Sequence, residues 1–142
     1  MQEREKLVEN LIFFIPTIFK KLMKSIPPMD IPKQQFGLLH AVCIREGKTM
    51  SCYSEKMQLP KSNISVLADR LIKGGYLIRD TDPEDRRVIN LRTTQKGKDL
   101  FSTQKNRMKH EMAKSLEDLQ EEDILRLNTL IIEMRSILDK LE

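Results

Sequence analysis

Apolar residues recur at helical spacing over most of the chain and give way to alternation only between about residues 76 and 92. Over residues 6–26 two apolar sets run side by side: Leu7, Leu11, Phe14, Ile18 and Leu22, and Val8, Ile12, Ile15, Phe19 and Met23. Together they cover more than one face of a helix, so both faces need cover. Pro16 sits between them and predicts a kink or a split, because it lacks an N–H and crowds the preceding turn. Ile26-Pro27-Pro28-Met29-Asp30 reads as a linker. Pro32 opens a second helix with Phe36, Leu39, His40, Cys43 and Ile44 on its inner side, ended by Gly47. Thr49 suits the N-cap of a short helix over residues 50–58. Leu59-Pro60 breaks that helix, and Pro60 fits the first position of the next. This third helix covers about residues 61–73, with Ile64, Leu67, Ala68 and Leu71 on one face, and Gly74-Gly75 stops it as left-handed C-cap residues do.

Tyr76-Leu77-Ile78-Arg79 and Val88-Ile89-Asn90-Leu91-Arg92 then alternate as two strands. Asp82-Pro83 between them opens a turn, so the pair is a β-hairpin with a charged tip. A long polar helix follows over about residues 95–116. A last one begins after the acids Glu121, Glu122 and Asp123, which favour a helix N-terminus. Its apolar positions, Ile124, Leu127, Ile131, Met134, Leu138 and Leu141, alternate spacings of three and four as in a coiled-coil seam. That seam packs either on the chain's own core or on a second subunit. The two-sided first helix favours the second subunit.

The order helix, short helix, break, helix, strand, charged hairpin, strand is that of a winged helix-turn-helix, in which a helix fits the major groove and a hairpin reaches beside it. The reading helix must be apolar inside and short, polar or cationic outside. Lys61, Ser62, Asn63, Ser65, Val66, Asp69, Arg70 and Lys73 meet that need. The expected class is mainly α with a small β-hairpin wing. In this single domain residues 1–31 and 117–142 form N- and C-terminal dimerisation helices, 32–97 the winged helix-turn-helix and 98–116 a connecting helix.

Two segments carry a resemblance to a known family. Residues 59–79, LPKSNISVLADRLIKGGYLIR, look like the recognition helix and first wing strand of MarR regulators. Residues 82–97, DPEDRRVINLRTTQKG, are similar to that family's wing signature: an Asp, then Asp-Arg-Arg, then Leu-x-Thr before a Lys-Gly helix start. The flanking helices match the family's plan, in which the first and last helices form the dimer interface.

The resemblance implies that Arg87 at the wing tip enters the minor groove, where narrow A·T-rich DNA attracts a guanidinium. It implies that Arg86 contacts phosphate or pairs with an acid, and that Asp85 braces the tip. Ser62, Asn63, Ser65 and Val66 would face the major groove, Asn63 reading adenine and Val66 touching a thymine methyl. Lys61, Arg70, Lys73 and Thr49 would contact phosphates. Asp69 would be structural, pairing with an arginine. The alternatives are a salt-bridged hairpin for Arg86 and Arg87 and a helix-cap role for Asn63. Some relatives bind small aromatic acids between the dimer helices and the winged domain. Phe14, Phe19, Met23, Phe36, His40 and Met57 are the corresponding pocket candidates, with plain core as the other reading. The chain departs from the family pattern at Ser54, where Ala is usual; at Pro16 in the dimer helix; and at Arg92, which should point to solvent or DNA.

Charge agrees with a polyanionic partner. Of the net +4, residues 1–31 hold +1, residues 32–97 hold +5 and residues 98–142 hold −2, so DNA is drawn first to the middle of the chain. Eight Met hint at a surface or pocket able to repack. Cys43 and Cys52 are too few for a disulfide scaffold and fit reduced thiols. Cys43 reads as core, while Cys52 near a helix start has a mildly favoured thiolate. The N-terminus lacks a cleavable apolar stretch, and the longest apolar run, residues 11–15, is far below the ~20 that span a bilayer. These features predict a soluble, cytoplasmic protein without a membrane partner. No phosphate loop, nucleophile elbow or helical His-Glu-x-x-His is present, and His40 and His110 are far apart. No enzyme activity, metal or cofactor is expected.

The function read from the sequence is a homodimeric, sequence-specific regulator of transcription on double-stranded DNA. It would act as a repressor on a near-palindromic operator, relieved by a small aromatic or anionic ligand. The alternative is a winged-helix protein–protein adaptor without DNA binding.

Overall fold

A computed structural model describes residues 1–24 and 26–141, so Ser25, within the span expected for the first helix, and Glu142 lie outside it. The described residues form two compact units, one of residues 27–107 and one of residues 1–26 with 108–142.

The first unit is built on α2 (Lys33–Ile44), α3 (Met50–Met57) and α4 (Lys61–Lys73), with strands β1 (Lys48–Thr49), β2 (Leu77–Thr81) and β3 (Ile89–Thr93) and the start of α5 (Gln95–Ser115). The strands pair antiparallel in the order β1-β3-β2. β1 was not foreseen, since two residues show no period. It places Lys48 opposite Leu91 and Thr49 opposite Asn90, and makes the wing three-stranded.

The core joins Leu38, Leu39, Ala41 and Val42 of α2, Tyr53 of α3, Ile64, Leu67, Ala68 and Leu71 of α4, Leu77 of β2 and Leu91 of β3. Tyr53 buries its ring and still satisfies its hydroxyl, which donates to the Arg45 carbonyl (2.5 Å) and accepts from the Lys48 N–H (3.2 Å). The fully buried face of α2 differs from the expected one, sharing only Leu39 with it, while Cys43 packs against the core partly buried. This helix is apolar nearly all round, so periodicity alone left its rotation open. Phe36 and His40 instead stack on Phe101 of α5, at 6.0 and 5.4 Å between centroids, Cys43 is half-buried and Ile44 is exposed.

Between α3 and α4, Gln58 takes the left-handed conformation (φ 52°). Ser54 donates from its hydroxyl to the Leu59 carbonyl at 2.6 Å, a bond that Ala would lack. After α4 the left-handed residue is Gly75 (φ 79°), not Gly74. Gly75 and Tyr76 return their N–H groups to the carbonyls of Ile72 and Leu71, the bonding of a Schellman cap. Thr94 caps α5, accepting from the Gly97 N–H at 3.1 Å and donating to the Gly75 carbonyl. Gly97 is buried so tightly that a Cβ there would lie 2.2 Å from the Tyr76 carbonyl oxygen.

The second unit contains α1 (Gln2–Met23), the end of α5 and α6 (Glu121–Leu138). α1 is a single helix with Pro16 inside it, so of the expected kink or split the split does not occur. The Thr17 hydroxyl, in the same turn, donates to the Phe13 carbonyl (2.8 Å). Neither α1 nor α6 buries a residue within the chain, and the seam positions of α6 are exposed.

Gly97→Ala has no space for its methyl against the Tyr76 carbonyl and should lower stability by about 1–3 kcal/mol, read as a lower urea midpoint at unchanged slope. Glu46 accepts from both the N–H (2.9 Å) and the hydroxyl (2.6 Å) of Thr93, which holds its carboxyl below the ordinary value. Its contribution is therefore present above the unfolded pKa of about 4.3 and fades as pH falls through the lower folded value. Urea unfolding should show Glu46→Ala less stable than the parent at pH 7, with the gap closing as pH falls below about 4.

Candidate nucleic-acid interface

The apolar stripe Ile64, Leu67, Ala68, Leu71 faces the core at i, i+3, i+4, i+7. It turns Lys61, Ser62, Asn63, Val66, Arg70 and Lys73 outward, all exposed, while Ser65 is half-buried. Pro60 is the N-cap, with no side-chain capping bond and no acid in the first turn. The positive end of this helix is thus open to an anion. Among the described residues the side chains of Lys61, Ser62, Asn63, Arg70 and Lys73 have no hydrogen-bond or ion-pair partner, so their donors are free. Asp69 is spoken for: it pairs with Arg79 of β2 and ties α4 to the wing. Arg92 of β3 bonds Asp80 of β2 at 2.6 Å, so its guanidinium is engaged within the wing and not simply turned to solvent.

The wing tip is built by two aspartates. Asp82 accepts from the N–H groups of Glu84 (2.9 Å) and Asp85 (3.3 Å), and these bonds hold its carboxyl below the usual range. Asp85 accepts from the Arg87 N–H (3.0 Å) and from its Nε (3.2 Å), while the Arg87 side chain stays 91% exposed. The acid partner thus falls to Arg87 and not to Arg86, whose guanidinium is exposed and has no ion pair among the described residues.

Wing, α3 and α4 meet at one cleft of about 330 Å3, lined by Thr49, Met50, Ser51, Lys61, Arg87, Val88 and Ile89. The Thr49 hydroxyl accepts from the Cys52 N–H at 3.2 Å and caps α3. Ser51 was missed by the sequence reading, where nothing marks it except its place one turn after the break at Gly47. An ammonium, a guanidinium and two hydroxyls on three elements, with no carboxylate in the lining, can hold a phosphate.

The pocket candidates fall in both units. Phe14, Phe19 and Met23 are exposed on α1. Phe36 and His40 stack on Phe101, and Met57 lies beside Gly37, where a Cβ would be 3.5 Å from its methyl. Burial, with Lys56 and Lys105 adding to it, lowers the His40 pKa. Burial, helped by Glu46, raises the Cys43 thiol. Among the described residues no group of three or more His, Cys, Asp or Glu could hold a metal, and no helix is long and apolar enough to cross a membrane.

Comparison with known proteins finds likeness in both sequence and fold. The MarR family's sequence model matches residues 29–88. The chain is 25% identical over 130 residues to the HTH-type transcriptional repressor MdtR of Bacillus subtilis, covering 89% of this chain and 84% of that protein. A MarR family protein from Bacillus stearothermophilus superposes with a TM-score of 0.77 at 21% identity, covering 99% of both chains. FabT of Streptococcus pneumoniae, solved in complex with DNA, superposes with a TM-score of 0.63 at 20% identity over 100% of both chains. The family match takes in the helix-turn-helix and the first wing strand, and along its whole length the chain has the fold of MarR proteins.

Proposed function

We propose that this chain is a MarR-type transcriptional regulator, a cytoplasmic repressor that binds a near-palindromic operator as a homodimer and is released by a small aromatic or anionic ligand. The observation that carries the DNA reading is the cleft where Thr49, Ser51, Lys61 and Arg87 converge beside the uncapped start of α4. The unpaired Lys61 ammonium, the hydroxyls and the Arg87 guanidinium, held only by an exposed pair with Asp85, suit a phosphate backbone beside a groove. FabT, of the same fold, has been solved with DNA, and MdtR is named a repressor; both support the reading.

A second copy is supported by α1 and α6. Phe13, Ile12, Phe19, Leu125, Ile132 and Ile137 are each at least 60% exposed within one chain. Monomers rarely leave so many large apolar side chains to water. Two recognition helices about 34–36 Å apart would then read half-sites one turn apart. A ligand releases such a dimer only if it favours a spacing that does not fit DNA.

The test is fluorescence anisotropy on the DNA upstream of the chain's own coding region, with oligomeric state measured by sedimentation. The expected result is a dimer whose log affinity falls linearly with log salt, by about 0.9 per phosphate neutralised. Arg87→Ala should weaken binding about tenfold or more while leaving the dimer intact. A monomer, or binding indifferent to both salt and Arg87→Ala, would overturn the reading and favour a protein–protein adaptor.

A further inference from the structure

A second, smaller cleft lies along α4, lined by Gln34, Asn63, Val66, Leu67 and Arg70, with a volume of about 140 Å3. Asn63, Val66 and Arg70 stand at i, i+3, i+7, one stripe of the outward face of α4. Gln34 comes from another element, the first turn of α2. Its amide has no partner among the described residues, and neither do those of Asn63 or the Arg70 guanidinium. The lining holds one cation, two amides and no carboxylate, and the first turn of α2 holds no acid. Every free polar side chain in the cleft can donate a hydrogen bond, and none carries negative charge. This is the complement of an anion and is continuous with the outward face of α4.

We propose that this cleft seats a DNA backbone phosphate, held by the Gln34 amide and the Arg70 guanidinium. The first turn of α2 is then part of the DNA interface, separate from the cleft at the wing. The proposal rests on α4 reading DNA. A phosphate contact fixes register and carries no sequence information, whereas a base contact would change sequence preference.

The experiment uses the full chain and two duplexes of equal length, one selected by the wild type from a random pool and one of unrelated sequence. Binding is measured over a salt series for Gln34→Ala, Gln34→Lys and the control Ser102→Lys, which adds the same charge at an exposed position of α5. Gln34→Ala should weaken binding to both duplexes by a similar three- to tenfold at unchanged salt slope, since no charge is lost. Gln34→Lys should strengthen binding to both and steepen the slope by about one phosphate's worth. Ser102→Lys should stay within twofold of wild type. A gain in affinity is not produced by misfolding, so Gln34→Lys reads the site directly. Equal behaviour of the two lysine variants, or a Gln34→Ala change in preferred base with the unrelated duplex unaffected, would overturn the phosphate assignment while leaving DNA binding standing. Absence of wild-type binding to either duplex would sink both.

Discussion

Ile64, Leu67, Ala68 and Leu71 lie on one side of α4, none more than 5% exposed, and the rotation of that helix follows from them. Burying a Leu or Ile side chain is worth roughly 1.5–3 kcal/mol, so three of them outweigh any exposed ion pair, at about 0–1 kcal/mol. The pair between Asp69 and Arg79, both largely exposed, therefore adjusts the wing against α4 and does not decide how the helix is turned. Once the apolar stripe is seated on α2, residues 61, 62, 63, 66, 70 and 73 have nowhere to point but outward. The polar face is a consequence of the core, which lets those side chains be chosen for a partner with small effect on folding.

The wing needs more than its own hairpin, because two short strands are marginal in water. Leu77 and Leu91 anchor it in the core, β1 adds a third strand, and Glu46 holds Thr93 at its base. Its tip relies on backbone N–H groups collected by Asp82 and Asp85. Asp85 also reaches the Arg87 guanidinium, and this restrains a long side chain that would otherwise lose up to about 2 kcal/mol of rotamer freedom on ordering. The guanidinium remains in water, where such a pair is weak and salt-screened. Arg87 thus has a local acid partner that another anion can readily replace.

Much of this was legible in the sequence where one strong pattern acted alone. The period of α4, its stop at the glycines and the change to alternation at Tyr76 each had a single reading. Legibility failed where two patterns fitted equally or a pattern was too short. α2 is apolar on most sides, so its buried face depended on which neighbours arrived. β1 has two residues, and its pairing is set by β3 and not by its own composition. Pro16 was weighed as a helix breaker, yet one missing N–H is tolerated within a 22-residue helix. At the candidate site the residue types on α4 could be read from spacing. Ser51 and Gln34 could not, because each joins a cleft only through the packing of elements distant in sequence.

The chain's two associations would draw on different physics. α1 and α6 offer Leu, Ile and Phe side chains that no part of the chain buries, and apolar burial is hardly weakened by salt. The winged unit offers free cations within a segment of net charge +5, and counterion release makes that contact fall steeply with salt. Pairing of chains and contact with DNA would therefore be separable by ionic strength, the first surviving where the second is lost. An apolar join is what permits this. Two copies brought together by salt bridges would weaken under the same conditions that strip them from a duplex, and cooperative placement of two reading helices would be lost with the first increment of salt.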